Sequence, residues 1–349
     1  MNKKRKRFLI TVLRFHGDVL LTSPIINTIR RVYPDAIIDL LVYKGTGVLL
    51  ENHSGIHNIL EADHSSKLNF TQRLFSELKL LKRLRNTNYD FGLFLTTQWR
   101  IAFMGRALRS ARTAAVDDKK RRNSLWINSF SSIFPEAGEN HVIERNLRAL
   151  ESLGIKTEKE DFKLTINIPE SSKFFVEKCK EDYAFKGPFC VIHPVSRRKS
   201  KQWKKQAFAT LVDHYSTLGT KVILTSGPEE DEIKYIEEIS ELAKEKSINL
   251  GGKTSLLDLA ALIQGANFFI GLDSVASHIA AAVNTPGVVL FGPSQPGNWR
   301  PWSDRINVIS RKGNEKFCAT HGHLQGKLKN CLCYISPEKV ISSLDSLVN

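Results

Sequence analysis

Short apolar runs alternate with longer amphipathic segments along most of the chain. Continuous apolar runs are typical of strands buried on both faces, and apolar residues at helical spacing are typical of surface helices. The pattern predicts strands at 8–13, 36–43, 89–95, 111–116, 189–194, 220–227, 248–252, 267–273 and 287–292. It predicts helices near 19–32, 70–86, 142–153, 203–218, 229–246, 255–265, 274–283 and in the C-terminal tail. The leucines of the 70–86 helix are predicted to be core residues.

Strand–helix alternation occurs twice, which predicts an α/β protein with two Rossmann-like domains built on parallel sheets. The pattern loosens after Gly154. We therefore assign residues 1–168 to the first domain, 169–187 to a linker and 188–335 to the second domain.

Composition and net charge indicate the kind of partner but say little about the fold. The 349 residues are 42% hydrophobic and 25% charged, with a net charge of +15. Such a charge favours anionic partners, namely nucleic acid, an acidic membrane surface or phosphorylated substrates. The five cysteines, an odd and thinly spread number, favour reduced thiols and a cytoplasmic setting. Because no apolar stretch approaches about 20 residues, no spanning helix is predicted.

The second half carries the strongest phosphate signal, FFIGLDSVASHIAAAVNTPGVVLFGPS. A buried strand ends at Asp273, and Ser274 and Ser277 open a helix of small residues. The backbone amides of a first helical turn can bind phosphate. The alternative is that Asp273 only caps this helix and that His278 is an ordinary core histidine.

Two further strand ends carry polar side chains suited to a nucleotide. Ser196 and Lys201 follow FCVIHP and could reach a diphosphate, and Glu229 follows VILTSG and could accept hydrogen bonds from ribose. Taken singly, a basic loop is usually solvated and an acidic first turn usually complements the helix dipole.

The first half has one comparable strand end, LRFHGDVLLTSP at 13–24. Open α/β sheets bind ligands at the carboxyl ends of their strands, so Asp18 is either a helix cap or a reacting group. No glycine-rich dinucleotide fingerprint follows any strand, which weakens a nicotinamide interpretation. Near the C-terminus, CATHGHLQGKLKNCLC holds Cys318, His321, His323, Cys331 and Cys333. Their spacing matches no standard zinc pattern, so we interpret this segment as an irregular loop with free thiols.

The chain resembles the lipopolysaccharide heptosyltransferases, inverting enzymes of the two-Rossmann-domain GT-B architecture. The resemblance covers nearly the whole chain. It is carried by RFHGDVLLTSP, NYDFGLFLTTQW, HVIERNLRALESLGI, the lysine two residues before Trp203 and GLDSVASHIAAAVNTPGVVLFGPSQPGNWRPW. The RFHGD, TTQW and ERNL forms are most similar to the subgroup that adds the third, branching heptose to the second inner-core heptose.

The resemblance implies that Asp18 is the general base for the attack of an acceptor hydroxyl on ADP-L-glycero-D-manno-heptose. Gly17 would let the chain turn and the acceptor approach closely. The implied donor site comprises Ser196, Lys201, Glu229, Asp273, Ser274, Val275, Ala276, His278 and Gly292. The implied acceptor site comprises His16, Gly17, Thr22, Arg106 and Arg109. No D-x-D motif occurs, so neither a metal nor a cofactor is expected.

The resemblance further implies two sheets that face a central cleft, with residues 336–349 forming a helix that packs back on the first domain. The expected partners are ADP-heptose, a phosphorylated lipid A–core acceptor and the inner face of the cytoplasmic membrane, with peripheral binding and no nucleic acid. Three alternatives stay open: another GT-B transferase or epimerase, another core heptosyltransferase step, and a non-enzymatic binder of anionic lipid or nucleic acid.

Overall fold

The computed structural model describes residues 5–63, 69–108, 111–136, 138, 140–310 and 332–348. The chain divides into two compact units, Met1–Asn167 and Ile168–Asn349. The prediction of two Rossmann-like units with parallel sheets is confirmed by the topology of each unit. None of the helices in the described ranges has the length and apolar character needed to cross a bilayer.

The first unit contains a six-stranded parallel sheet in the order β3-β2-β1-β4-β5-β6. The chain runs outward from β1 in one direction and then restarts from β4 in the other, so the order reverses between these two strands. The strands are β1 (Arg7–Val12), β2 (Ile37–Tyr43), β3 (Asn58–Ala62), β4 (Phe91–Phe94), β5 (Arg112–Asp117) and β6 (Ser132–Pro135). The helices are α1 (His16–Leu20), α2 (Ser23–Val32), α3 (Phe70–Asn86), α4 (Trp99–Ala107), α5 (Ser124–Ile127) and α6 (Val142–Glu151).

One predicted helix, 19–32, is divided between α1 and α2. Thr22 lies at the junction, where its hydroxyl donates to the Val19 carbonyl at 2.6 Å. Pro24 follows in the first turn of α2 and has no N–H to continue the bonding of α1. The break therefore follows from the sequence TSP, and it separates the first turn of α1 from a longer buried helix.

Helix α3 has the predicted bounds, but the prediction that its leucines are core residues is only partly correct. Leu84 is fully buried, and Leu80 and Leu81 pack partly buried against the same core. Leu74 and Leu78, in contrast, are 49% and 54% exposed. Leucine spacing identifies the buried side of this helix but does not exclude apolar residues on its outer side.

The second unit repeats the same topology, with the order β12-β11-β10-β7-β8-β9. The order therefore reverses between β7 and β10. The strands are β7 (Phe189–His193), β8 (Lys221–Ser226), β9 (Ile248–Gly251), β10 (Phe268–Leu272), β11 (Gly287–Phe291) and β12 (Ile306–Ser310). The helices are α7 (Glu170–Asp182), α8 (Lys205–Thr217), α9 (Glu230–Leu242), α10 (Leu256–Gly265), α11 (Val275–Ala282), α12 (Pro296–Trp299) and the C-terminal helix Pro337–Val348.

Residues 169–187, assigned above to a linker, contain α7, which packs against α10 of the second unit. Val176 and Cys179 on its inner side are buried. The C-terminal helix contacts α8, β11 and β12 of the second unit, and Val340 and Leu344 enter the core of that unit. Its expected packing against the first unit stays a prediction.

Candidate active site

Three loops meet where the strand order of the first unit reverses. Gln98, which follows β4, donates from Nε2 to the carbonyl of Leu13 at 3.1 Å. Its Oε1 accepts from the hydroxyl of Tyr43, at the end of β2, at 2.8 Å. The loops after β1, β2 and β4 are therefore joined through one amide side chain. Ligands of open α/β sheets bind at this kind of position, outside the carboxyl ends of the strands where the order reverses.

Asp18 lies in the first turn of α1, at this reversal point, and is partly exposed. The N-cap of α1 is Phe15, so the alternative that Asp18 caps a helix beginning at Val19 is wrong. Burial raises the pKa of Asp18 above its ordinary value, against the opposing effect of the cations Arg14 and Arg145 and of nearby backbone amides. A carboxylate with a raised pKa is a stronger base than an exposed aspartate.

Arg145 is a site residue that the sequence analysis did not select. It projects from α6, and its Nη2 donates to the Asn146 side-chain oxygen at 2.8 Å. Asn146 in turn donates to the Leu21 carbonyl at 3.3 Å. Burial lowers the pKa of Arg145 to about 10, while the charge of Asp18 opposes this shift, so the guanidinium stays positive at neutral pH. The sequence did contain a signal for this residue, because Arg145 is the arginine of ERNL and lies among the apolar residues of an amphipathic helix.

His16 and Gly17 lie in α1 beside Asp18. Burial lowers the pKa of His16, with an opposing backbone hydrogen bond at Thr46. Its Nδ1 is buried and has no hydrogen-bond partner among the described residues. Gly17 is helical and does not adopt a positive φ, so the expectation that it turns the chain is wrong, and only its small size is relevant.

Two other residues expected to bind the acceptor, Thr22 and Arg106, do not join this group. Thr22 is fully buried and its hydroxyl is bonded to the backbone, so it presents no surface to a ligand. Arg106 lies in the last turn of α4 and donates to the Ser129 hydroxyl at 3.1 Å. With Ala111 and Thr113, before and at the start of β5, it lines a cavity at the amino ends of the strands, opposite Asp18. Arg109 lies outside the described residues.

The reversal point of the second unit brings together Ser196, Lys201 and Asp273. The Ser196 hydroxyl donates to the Asp273 carbonyl at 3.1 Å. Lys201 Nζ lies 2.5 Å from Asp273 Oδ2, and their side chains are 17% and 8% exposed. The alternative that Asp273 only caps α11 is wrong, because Ser274 is the N-cap and the Asp273 carboxylate pairs with Lys201 instead.

Two side chains beside this ion pair lack partners. Ser274 Oγ and His278 Nδ1 are buried and have no hydrogen-bond partner within the described ranges. Burial lowers the pKa of His278 far below its usual range, with Asp273 opposing and Lys201 reinforcing the shift, so the ring is neutral. Buried polar atoms without partners are uncommon in folded proteins, and a bound ligand is one way to satisfy them. Val275 and Ala276 form the first turn of α11 next to them, with backbone amides that the helix itself does not use.

The remaining donor-site predictions fall on the same edge of the second sheet. Glu229 is exposed and is the N-cap of α9, directly after β8, with no side-chain capping bond. Gly292 is buried and follows β11. Both residues follow strands whose carboxyl ends lie next to the Lys201–Asp273 pair. Their expected contacts with ribose and donor stay predictions.

Within the described ranges, no group of three or more His, Cys, Asp or Glu side chains is placed to hold a metal ion. The five Cys and His side chains of the 318–333 segment lie outside what the structure describes. The two described cysteines, Cys179 and Cys190, are buried free thiols.

Comparison with solved structures defines the class of protein. The fold matches glycosyltransferase family 9 from Veillonella parvula with a TM-score of 0.83 at 20% identity, covering 100% of this chain and 98% of that one. It matches the Escherichia coli ADP-heptose lipopolysaccharide heptosyltransferase II with a TM-score of 0.77 at 20% identity, covering 98% of both chains. The fold is therefore the GT-B architecture of two Rossmann-like domains.

Sequence comparison narrows the class to a family. Residues 77–329 match glycosyltransferase family 9 (heptosyltransferase). The chain is also 35% identical over 337 residues to lipopolysaccharide heptosyltransferase 3 of Escherichia coli strain K12, with 96% of each chain covered. The chain belongs to glycosyltransferase family 9, the heptosyltransferases, and is an enzyme of that family.

Proposed function

We propose that this enzyme transfers L-glycero-D-manno-heptose from ADP-heptose to the inner core of lipopolysaccharide, adding the third, branching heptose to the second. The observation that carries the proposal is the Asp18 carboxylate, partly exposed at the reversal point of the first sheet with a raised pKa. The similarity to lipopolysaccharide heptosyltransferase 3 over 96% of the chain supports the choice of acceptor position. The fold shared with an ADP-heptose enzyme supports the donor.

In this proposal Asp18 takes the proton of the acceptor hydroxyl as its oxygen attacks the anomeric carbon. The bond from that carbon to the ADP oxygen breaks on the opposite face, so the configuration inverts. The charges of Arg14 and Arg145 favour the ionised carboxylate, whereas burial of the site disfavours it. His16 Nδ1 would bind a second hydroxyl of the acceptor and so orient the attacking oxygen.

The second unit would hold the donor and stabilise the leaving diphosphate. Lys201 supplies a positive charge at the reversal point of the sheet, and the first-turn amides of α11 supply donors of fixed direction. Ser196 and Ser274 add hydroxyl groups to the same site. Because a lysine, hydroxyl groups and helix amides can together bind a diphosphate, we propose that transfer requires no metal ion. We place the reaction at the cytoplasmic face of the inner membrane, where a lipid-linked acceptor is accessible.

Turnover of ADP-heptose with core acceptors that carry one or two heptoses tests this function. We expect transfer to the two-heptose acceptor and little to the one-heptose acceptor. Asp18→Asn should reduce kcat by about 10²- to 10⁴-fold, the usual contribution of a general base, while ADP affinity stays unchanged. Asp35→Asn, at an exposed aspartate of the same unit, is the matched control and should retain full activity. Full activity of Asp18→Asn would refute the assignment of the base.

A further inference from the structure

Helix α3 presents large apolar side chains to solvent. Leu74, Phe75 and Leu78 are 49%, 76% and 54% exposed. Residues three or four apart share a side of a helix, so Leu74 and Leu78 lie together and Phe75 flanks them. Leu84, which lies opposite Phe75 on the helix, is fully buried in the core of the first unit. The helix is therefore packed against the core on one side, and its exposed apolar residues form a separate surface.

Helix α4 packs against α3 and adds two exposed aromatic residues. Trp99 and Phe103 are 38% and 54% exposed, and their spacing of four places them on one side of α4. An ion pair between Arg100 and Glu77 joins the two helices. We call the exposed apolar residues of these two helices the α3–α4 face: Leu74, Phe75, Leu78, Trp99 and Phe103.

Positive charge surrounds the α3 part of this face. At 100° per residue, Lys79, Lys82 and Arg85 fall within the same outward arc as the exposed leucines. None of these three forms an ion pair with any described residue. Glu77 is the single acidic residue of the helix and is already paired. Leucine and phenylalanine beside lysine and arginine are typical of helices that lie in the headgroup region of a bilayer.

We propose that the α3–α4 face docks on the surface of an anionic phospholipid bilayer. The face adjoins the edge of the sheet that carries Asp18, because Arg100 lies over the ring of Tyr43, whose hydroxyl bonds to Gln98. The inference rests on the proposed function in one respect: docking at this edge would bring the base next to an acceptor whose lipid anchor lies in the membrane. Unpaired cations favour a bilayer over a second copy of this chain, which also carries a net charge of +15.

Sedimentation of the full chain with phosphatidylcholine vesicles, with and without phosphatidylglycerol, tests the proposal. We expect binding that requires the anionic lipid and weakens with salt. The Phe75→Ser, Leu78→Ser double variant should lose at least about tenfold in vesicle affinity through lost apolar burial. The Lys79→Gln, Lys82→Gln double variant should lose about fivefold for each charge removed. Phe174→Ser is the matched control, since Phe174 is 70% exposed on α7 of the second unit, and its affinity should not change.

Unchanged vesicle binding by both double variants would overturn the proposal, as would a Phe174→Ser variant that loses as much affinity. Sedimentation velocity without lipid tests a second copy as the occupant, and dissociation of a dimer by Phe75→Ser, Leu78→Ser would equally overturn it. Heptose transfer to a delipidated acceptor separates this proposal from the proposed function. Variants that lose vesicle binding but still transfer heptose to the delipidated acceptor would support docking. A protein that binds vesicles but has no transferase activity would refute the proposed function and leave the docking proposal standing.

Discussion

The ion pair between Lys201 and Asp273 leads to a quantitative prediction. Its atoms lie 2.5 Å apart and the side chains are 17% and 8% exposed, so the pair is largely removed from water. Lys201→Met keeps the length of the side chain but leaves Asp273 charged and without its partner. Removing one partner of a buried pair costs about 3–5 kcal/mol, and the partial exposure of Lys201 favours the lower end, about 3 kcal/mol. For a unit of this size that corresponds to a fall of about 6–12 °C in Tm.

The chain offers a matched control two residues earlier. Lys199 pairs with Asp231 at 2.6 Å, but both side chains are more than 70% exposed, at 74% and 72%. Lys199→Met should therefore change the free energy of unfolding far less than Lys201→Met, because exposed pairs contribute little. The same loop thus provides two lysine pairs of similar geometry that differ in burial.

A double-mutant cycle measures the coupling within the buried pair. Asp273→Asn in the Lys201→Met background removes the unpaired charge and should recover about 2 kcal/mol of stability. Denaturant unfolding of the four proteins at neutral pH gives this value, and ADP titration gives a second readout. Lys201→Met should weaken ADP binding about tenfold or more because it removes a charge-assisted hydrogen bond. Asp273→Asn should strengthen ADP binding, since it removes a negative charge and releases Lys201.

A coupling below about 0.5 kcal/mol would refute the pair as a stabilising contact. Equal destabilisation by Lys199→Met and Lys201→Met would refute the argument from burial. Weaker ADP binding by Asp273→Asn would show that the carboxylate does not compete with the diphosphate for the lysine.

Three further predictions concern other parts of the chain. Arg145→Gln removes a positive charge beside Asp18, the proposed base. The pKa of Asp18 should therefore rise further, and the acid limb of the pH profile of kcat/KM should move to higher pH. An unmoved limb would contradict this coupling. Gly287→Ala should destabilise the second unit by more than about 2 kcal/mol in denaturant unfolding, because its Cβ would lie 2.3 Å from the Phe269 carbonyl oxygen across the β10–β11 pair. Asp161 is paired with Arg31 at 2.7 Å; burial alone would raise its pKa, but the arginine hydrogen bonds hold it below the ordinary value. Asp161→Asn should therefore be less stable than the parent above the unfolded pKa of aspartate, and the difference should disappear as pH falls through the lower folded pKa; a difference independent of pH would refute it.

The sequence predicted the strands that are buried on both faces and missed three at the sheet edges. The residues of β7 and β11 are buried throughout, so their apolar runs are continuous. In contrast, β3, β6 and β12 lie at edges and alternate buried with partly or fully exposed positions. Such short mixed segments do not differ from loops in local composition, and only pairing with a neighbouring strand defines them.

The candidate site shows the same limit. The positions of Asp18, Lys201 and Asp273 were predictable because each lies in the segment that follows a strand, and the carboxyl ends of parallel strands share an edge. Arg145 was not predictable in this way, because it reaches the site from α6, far along the chain. Arg106 was placed on the acceptor side by its charge alone. The direction of α4 carries it to the opposite edge, which no local pattern reports.

The two units have the same strand order but different chemistry where that order reverses. The first unit places there a carboxylate whose pKa burial raises, with two arginines nearby that oppose the shift. The second places there a lysine, a helix N-terminus and two polar atoms without partners in the described ranges. A shared topology supplies only the position, since the carboxyl edge leaves side chains and helix amides free to meet a ligand. In the proposed function, one unit supplies the group that accepts a proton and the other supplies the groups that stabilise a departing anion, so each set of residues can vary without weakening the other.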